Sequence, residues 1–157
     1  MSGVLAALVL LPAATGAGLL IAGRRADRAA GPVAVVGTAA GAVLAVLVAG
    51  ARPNLSIPFL GIVEGGDLRL VVDGLSAVLV VLVAGIALLV TLFATADLPV
   101  DTARARFFGY LLLFVSAMLA TVTAATLPAL LLGWEVMGAT SFALIGFRWE
   151  EPVSYTH

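Results

Sequence analysis

Apolar residues run along this chain in stretches long enough to cross a lipid bilayer, with short polar breaks between them. A spanning helix needs about 20 mostly apolar residues. The first stretch, Val4–Ile21, is closed by Gly23-Arg24-Arg25-Ala26-Asp27-Arg28. The second, Val33–Gly50, is opened by Pro32, which suits a helix start. The third is Leu75–Ala96. The stretch Phe107–Phe147 is too long for one span and divides near Thr123–Pro128, where threonines and a proline can cap and start a helix. It yields Phe107–Val122 and Leu127–Phe147. The pattern predicts an all-α integral membrane protein, with about five transmembrane helices in a single membrane domain over 1–157.

Between the second and third stretches, Ile57–Val63 and Leu68–Val72 flank Glu64-Gly65-Gly66-Asp67. This spacing predicts a short β-hairpin with a Gly-Gly turn. Arginine placement sets the orientation, because basic loops stay on the cytoplasmic side. Arg24, Arg25, Arg28, Arg104, Arg106 and Arg148 fall on one side, Arg52 and Arg69 on the other. The N-terminus is then outside, the C-terminus cytoplasmic and the hairpin on the outer surface of a bacterial cell membrane. Met1-Ser2-Gly3 lacks the positive region of a secretory signal, so the first stretch reads as a retained helix.

Composition supports this class. Residues are 62% hydrophobic and 11% charged, against about 25% charged in soluble domains. The net charge of −1 gives no sign of a nucleic-acid partner. The absence of cysteine excludes disulfides, thiolate metal sites and cysteine-held iron–sulfur clusters. The single histidine is the terminal His157, which argues against a histidine-built haem or zinc site. All eight basic residues are arginine. Arginine does not readily give up its proton, so only carboxylates can exchange protons within the spans.

One carboxylate does lie within a span. Glu135 sits about 12 Å from the start of Leu127–Phe147 at 1.5 Å per residue, near the midplane of a core about 30 Å thick. A charge there costs roughly 2.5–3.5 kcal/mol. Its helical face continues through Ala139, Ala143 and Gly146, all small, with Gly133 and Gly138 nearby. Another helix or water can approach such a face. A buried acid with a switchable partner can act as a proton relay, while the plainer reading is a protonated acid bonding between helices. Arg148 is about 20 Å further along the helix, and Arg104 and Arg106 sit at the membrane edge. A basic partner for Glu135 is therefore expected from sequence absent here.

Other residues carry plainer readings. Asp73, with Ser76 three positions on, can cap the third helix. The arginines of the first connection are topology determinants. Trp134 reads as a large packing residue. Ser116, Thr121, Thr140 and Ser141 are expected to bond their own helices. Gly37-Thr38-Ala39-Ala40-Gly41 matches a helix-packing pattern that chance also yields in an Ala/Gly-rich span.

Three blocks occur in order: Val72-Asp73-Gly74-Leu75-Ser76, then Arg106-Phe107-Phe108-Gly109-Tyr110-Leu111, then Gly133-Trp134-Glu135-Val136-Met137-Gly138-Ala139-Thr140-Ser141-Phe142-Ala143-Leu144-Ile145-Gly146-Phe147. Together they resemble the N-terminal part of the antiporter-like subunit L of respiratory complex I (subunit 5 in mitochondria). The large subunits of Mrp-type cation/proton antiporters and of membrane-bound hydrogenases are closer competitors than subunits M and N. The resemblance covers essentially the whole chain but only the first part of a fourteen-or-more-helix subunit. Val153-Ser154-Tyr155-Thr156-His157 departs from the family's continuation, as expected of a fragment or truncated frame.

The resemblance implies that Glu135 is the intramembrane proton-relay glutamate, paired in the family with a lysine on a later helix. It implies a translocase subunit of an NADH–quinone oxidoreductase, embedded beside the other membrane subunits of complex I. It also implies that NADH, flavin, iron–sulfur clusters and quinone belong to the parent complex and that this chain carries no redox site. A non-catalytic helical scaffold is the remaining reading.

Overall fold

A computed structural model describes residues 2–59, 66–99 and 102–148. Its helices are α1 (Ser2–Ala22), α2 (Asp27–Ala51), α3 (Gly74–Asp97), α4 (Arg104–Thr123) and α5 (Leu127–Ile145). Two strands, β1 (Asn54–Ile57) and β2 (Leu68–Val71), join α2 to α3. The helices hold 19 to 25 residues, about 28–38 Å at 1.5 Å per residue, enough to cross a bilayer core. The chain is a multi-pass, all-α membrane protein with a small sheet.

α1 and α2 form one nearly continuous helical stretch, folded back at a 3₁₀ turn over Gly23–Ala26. Gly23 has φ +55°, a left-handed conformation that costs glycine little. The return is antiparallel. Leu5 and Leu8 share a core cluster with Ala45 and Val48, while Thr15 lies against Gly37. The sequence places Pro32 at the helix start, but α2 begins five residues earlier, at Asp27. In the second turn proline costs one bond, to the Arg28 carbonyl, and Arg28 is exposed where water can serve that group.

α4 is the hub, packing on each of the other four helices. Its approach to α1 is close: a Cβ on Gly16 would lie 2.7 Å from the Gly109 carbonyl oxygen. The Gly37…Gly41 pair makes no such approach. A Cβ on Gly37 would make only ordinary contact with Thr15, at 3.7 Å, and one on Gly41 would meet nothing within 4 Å.

The first strand lies earlier than the sequence predicts. Among the described residues β1 is Asn54–Ile57, meeting the expected Ile57–Val63 only at Ile57, and it pairs antiparallel with β2 so that Leu55 faces Leu70 and Ile57 faces Leu68. Pro58, which has no N–H to donate, stops the ladder. Residues 60–65, including part of the expected Gly-Gly turn, lie outside the described residues.

The far edge of β2 is also occupied. Ala125 donates to the Arg69 carbonyl at 2.8 Å, and Thr126 Oγ1 donates to the Asp67 carbonyl at 2.6 Å while accepting the Arg69 N–H at 3.2 Å. Thr126 stands at the N-cap of α5, but its hydroxyl makes no capping bond; the hairpin has taken it. By contrast, Asp73 caps α3 as its spacing predicts, accepting the Ser76 N–H at 2.7 Å.

Candidate functional site: an outward-facing acid on α5

α5 rests on α4 along one narrow face. Ala129, Gly133 and Thr140 are its buried residues. Gly133 marks the closest approach, where a Cβ would sit 2.6 Å from Thr121 Oγ1. The Thr140 hydroxyl donates to the Val136 carbonyl at 2.7 Å, and that of Thr121 to the Ala117 carbonyl at 2.8 Å. Both bonds stay within their own helices, as expected, and add nothing polar to the site. Ser116 departs from that expectation: its hydroxyl donates across to the Val9 carbonyl of α1 at 2.7 Å.

Glu135 follows Gly133 by two residues, which turns it roughly 200° round the helix, at 3.6 residues per turn. It therefore lies almost opposite the face buried on α4, and it is exposed. Its neighbours on the same side are Leu131 at 52% exposure, Gly138, Ala139 and Phe142 at 81%. A Cβ on Gly138 or Gly146 meets nothing within 4 Å. The small-residue face expected around the acid therefore exists, though Gly133 belongs to the packed side. Trp134, expected to pack, is 61% exposed. One residue from the acid, it falls on a side of α5 that no other described helix covers.

Glu135 lies 8 residues from the start of α5 and 10 from its end, near the middle of a helix long and apolar enough to cross a membrane. Among the described residues it makes no hydrogen bond or salt bridge through its side chain. An ionised carboxylate placed so, in hydrocarbon, has no solvent to balance it. A cation or water reaching it from outside the described residues would supply that balance.

The basic residues lie elsewhere. Arg104, expected at the membrane edge as a topology determinant, is only 7% exposed. Its Nη2 donates to the Thr95 carbonyl in the last turn of α3 at 2.8 Å, and its guanidinium lies 5.8 Å from the Phe108 ring centre. A cation placed there satisfies an orphan carbonyl and complements the negative end of the α3 dipole. Sequence reasoning missed this role, because the pairing of α3's end with α4's start is set by tertiary packing. Arg106 stacks over Phe147, 5.9 Å from its ring centre. Both arginines serve helix ends, which leaves Glu135 without a base among the described residues.

With this geometry, the likeness to known proteins becomes specific. Residues 66–108 match the family described as NADH-ubiquinone oxidoreductase (complex I), chain 5 N-terminus. That segment runs from the hairpin through α3 into the first turns of α4. NADH-quinone oxidoreductase subunit L of Mycobacterium tuberculosis (strain H37Rv) is 37% identical over 163 aligned residues, covering 95% of this chain. The chain resembles the N-terminal part of subunit L. It spans about a quarter of that relative's length, 25%. Subunit L of Escherichia coli (strain K12) is 37% identical over 84 residues, 54% of this chain and 14% of the relative. Subunit L of an F(420)H(2) dehydrogenase from Methanosarcina mazei is 36% identical over 81 residues, 52% of this chain and 12% of the relative. The subunit L likeness thus extends over nearly all of the helical bundle described above.

Proposed function

We propose that this chain is the N-terminal portion of a proton-translocating membrane subunit, and that Glu135 is its intramembrane relay residue. The observation that carries the reading is the placement of Glu135: near the middle of a helix long and apolar enough to cross a membrane, opposite the helix's own packing face, with no partner among the described residues. Intramembrane acids that persist at such a cost are functional by default. Here the acid faces away from its own bundle, as half of a site completed from elsewhere would. The cation that completes it comes from sequence beyond these residues or from another membrane subunit. In this reading, proton transfer is driven by movement of that cation toward and away from the carboxylate.

In this reading the parent assembly passes electrons from NADH to quinone. The chain itself contributes membrane helices and a proton site, and flavin, iron–sulfur clusters and quinone are held by other subunits. The relative whose name carries F(420)H(2) rather than NADH is consistent with an electron donor set elsewhere in the assembly. Arginine placement supports a cytoplasmic end carrying the Gly23–Ala26 turn and the start of α4, with the hairpin on the outer face.

The test is Glu135→Gln in the full-length parent assembly. Glutamine keeps the shape and removes the exchangeable proton. Proton-to-electron stoichiometry, oxidoreductase rate or both are expected to fall. If both are unchanged, the relay role is lost.

A further inference from the structure

Residues 124–126 lie along the far edge of β2, with Leu70 bridged antiparallel to Ala124 and the Ala125 N–H donating to the Arg69 carbonyl at 2.8 Å. There the chain turns into α5, and its backbone no longer supplies the next rung. The Thr126 hydroxyl supplies it instead, accepting the Arg69 N–H at 3.2 Å and donating to the Asp67 carbonyl at 2.6 Å. A hydroxyl can serve in both directions at once, as a peptide unit does. The sequence also releases it from helix duty. A capping side chain accepts from the second or third helical residue, and the second residue of α5 is Pro128, which has no N–H. The Thr126 carbonyl still opens the helix, accepting the Leu130 N–H at 3.0 Å. Thr126 thus belongs to the sheet through its side chain and to α5 through its backbone.

This joint bears on Glu135, which lies about 13.5 Å along the axis from Thr126 at 1.5 Å per residue. With a side-chain radius of about 5–6 Å, a turn of about 20° round the helix axis carries the carboxylate about 2 Å sideways. The α4 contact offers few ridges against such a turn. The buried residues of α5 are Ala129, Gly133 and Thr140, too small to interlock as packed helices with larger side chains do. Phe147 meets Phe107 only beyond the helix, in the 3₁₀ turn. At the hairpin end, the rotational setting of α5 therefore falls to Thr126.

We propose that Thr126 is a positioning residue for Glu135: its hydroxyl fixes the rotation of α5 against the hairpin and so the direction in which the acid points. What that direction serves rests on the relay reading of Glu135; the direction itself does not. Both hydroxyl bonds lie at an exposed edge, where water can replace them. Losing the hydroxyl therefore frees the rotation but leaves the joint closed, because Ala125 stays bonded to Arg69.

Two measurements separate these parts. The chain has no cysteine, so spin labels at Glu135→Cys and at Leu82→Cys, on an exposed position of α3, form a unique pair. Pulsed electron paramagnetic resonance reads their separation with the chain in bilayer nanodiscs. Thr126→Val keeps the shape and removes the hydroxyl, and is expected to shift or broaden the separation by about 2 Å. Thr126→Ser keeps both bonds and is expected to match the unsubstituted Thr126. An unchanged separation in Thr126→Val, or an equal shift in Thr126→Ser, overturns the positioning role. So does a Thr126→Val chain that fails to fold, since the hydroxyl is then purely structural. The second measurement uses the full-length parent assembly with Glu135 in place. Thr126→Val is expected to lower proton pumping per assembled complex about tenfold, within the roughly hundredfold that a misplacement of about 1 Å can cost. Thr126→Ser is expected to restore it. Where Glu135→Gln lowers pumping and Thr126→Val does not, the functional half of the proposal is overturned while the relay stands. Where Glu135→Gln also leaves pumping unchanged, the relay reading fails and the functional half falls with it.

Discussion

Asp27 and Ala105 stand 78 residues apart, yet the Asp27 carboxylate accepts the Ala105 backbone N–H at 2.8 Å. Asp27 lies in the first turn of α2 and Ala105 in the first turn of α4. One negative charge therefore serves two helix N-termini, where the macrodipoles favour it. α4 has no side-chain cap of its own at Ala103, so Asp27 does that work across the bundle. Arg104, next in line, closes the end of α3. The ends of three helices are thus tied by two side chains.

Asp27→Ala is expected to lower stability by about 0.5–2 kcal/mol, the range for loss of a capping side chain. Asp27→Asn keeps an acceptor and loses less. Thermal unfolding of the purified chain in detergent checks this, with the exposed Arg25→Ala as comparison. An Asp27→Ala effect no larger than that of Arg25→Ala removes the shared-cap account.

The α4–α5 contact rests on Gly133. Its missing Cβ leaves room for Thr121 Oγ1, which would otherwise lie 2.6 Å away. Gly133→Ala is expected to cost about 1–3 kcal/mol, as overpacking does. Adding Thr121→Ala should recover part of that. It cannot recover all, because the Thr121 backbone nitrogen would still lie 3.2 Å from the new carbon. Unfolding midpoints of the two single variants and the double variant measure the coupling.

Asp73 gives a pH dependence with a definite sign. The Ser76 backbone N–H that its carboxylate accepts holds its pKa below the ordinary 3.8. A depressed folded value means that the stabilisation is present above the unfolded pKa. It is lost as pH falls through the folded one. Asp73→Ala should therefore be less stable than the parent chain at neutral pH, and the gap should close in acid below that range. Unfolding midpoints of both chains across pH 2–7 read the effect. A gap that persists undiminished at the acid end contradicts the assignment.

Glu135→Leu separates an acid partnered within the chain from one that faces outward. Because its side faces away from the other helices, leucine should ease insertion of α5 by about 2.5–3.5 kcal/mol, the insertion cost of a mid-helix charge. It should leave the bundle intact. A glycosylation-mapping insertion assay gives the first quantity and thermal unfolding the second. A marked loss of stability would mean that the acid is bonded inside these five helices.

The spans and the place of Glu135 along its span were legible in the sequence because hydropathy over about 20 residues is a one-dimensional signal. The capping by Asp73 was legible for the same reason: its partner is three residues away. What escaped is what depends on two distant segments meeting. Arg104 reads from sequence as one more basic residue near a helix end, and only the packing of α3 beside α4 makes it a buried cap. Thr126 has the ideal residue type for an N-cap, but a strand 57 residues upstream takes its hydroxyl. The outward aspect of Glu135 could not be fixed either, since periodicity says which residues share a face but not which face meets α4.

The Thr126 clasp has a mechanical consequence. α5 leans on a single neighbouring helix, and its first residues are fastened to the hairpin through one hydroxyl and one backbone amide. At the opposite end, Phe147 of the 3₁₀ turn Gly146–Arg148 lies against the Phe107 ring and under the Arg106 guanidinium of α4. Among the described residues α5 is thus pinned near both of its ends, like a beam on two supports. Glu135, between the supports, keeps its height and heading while its outward side stays open.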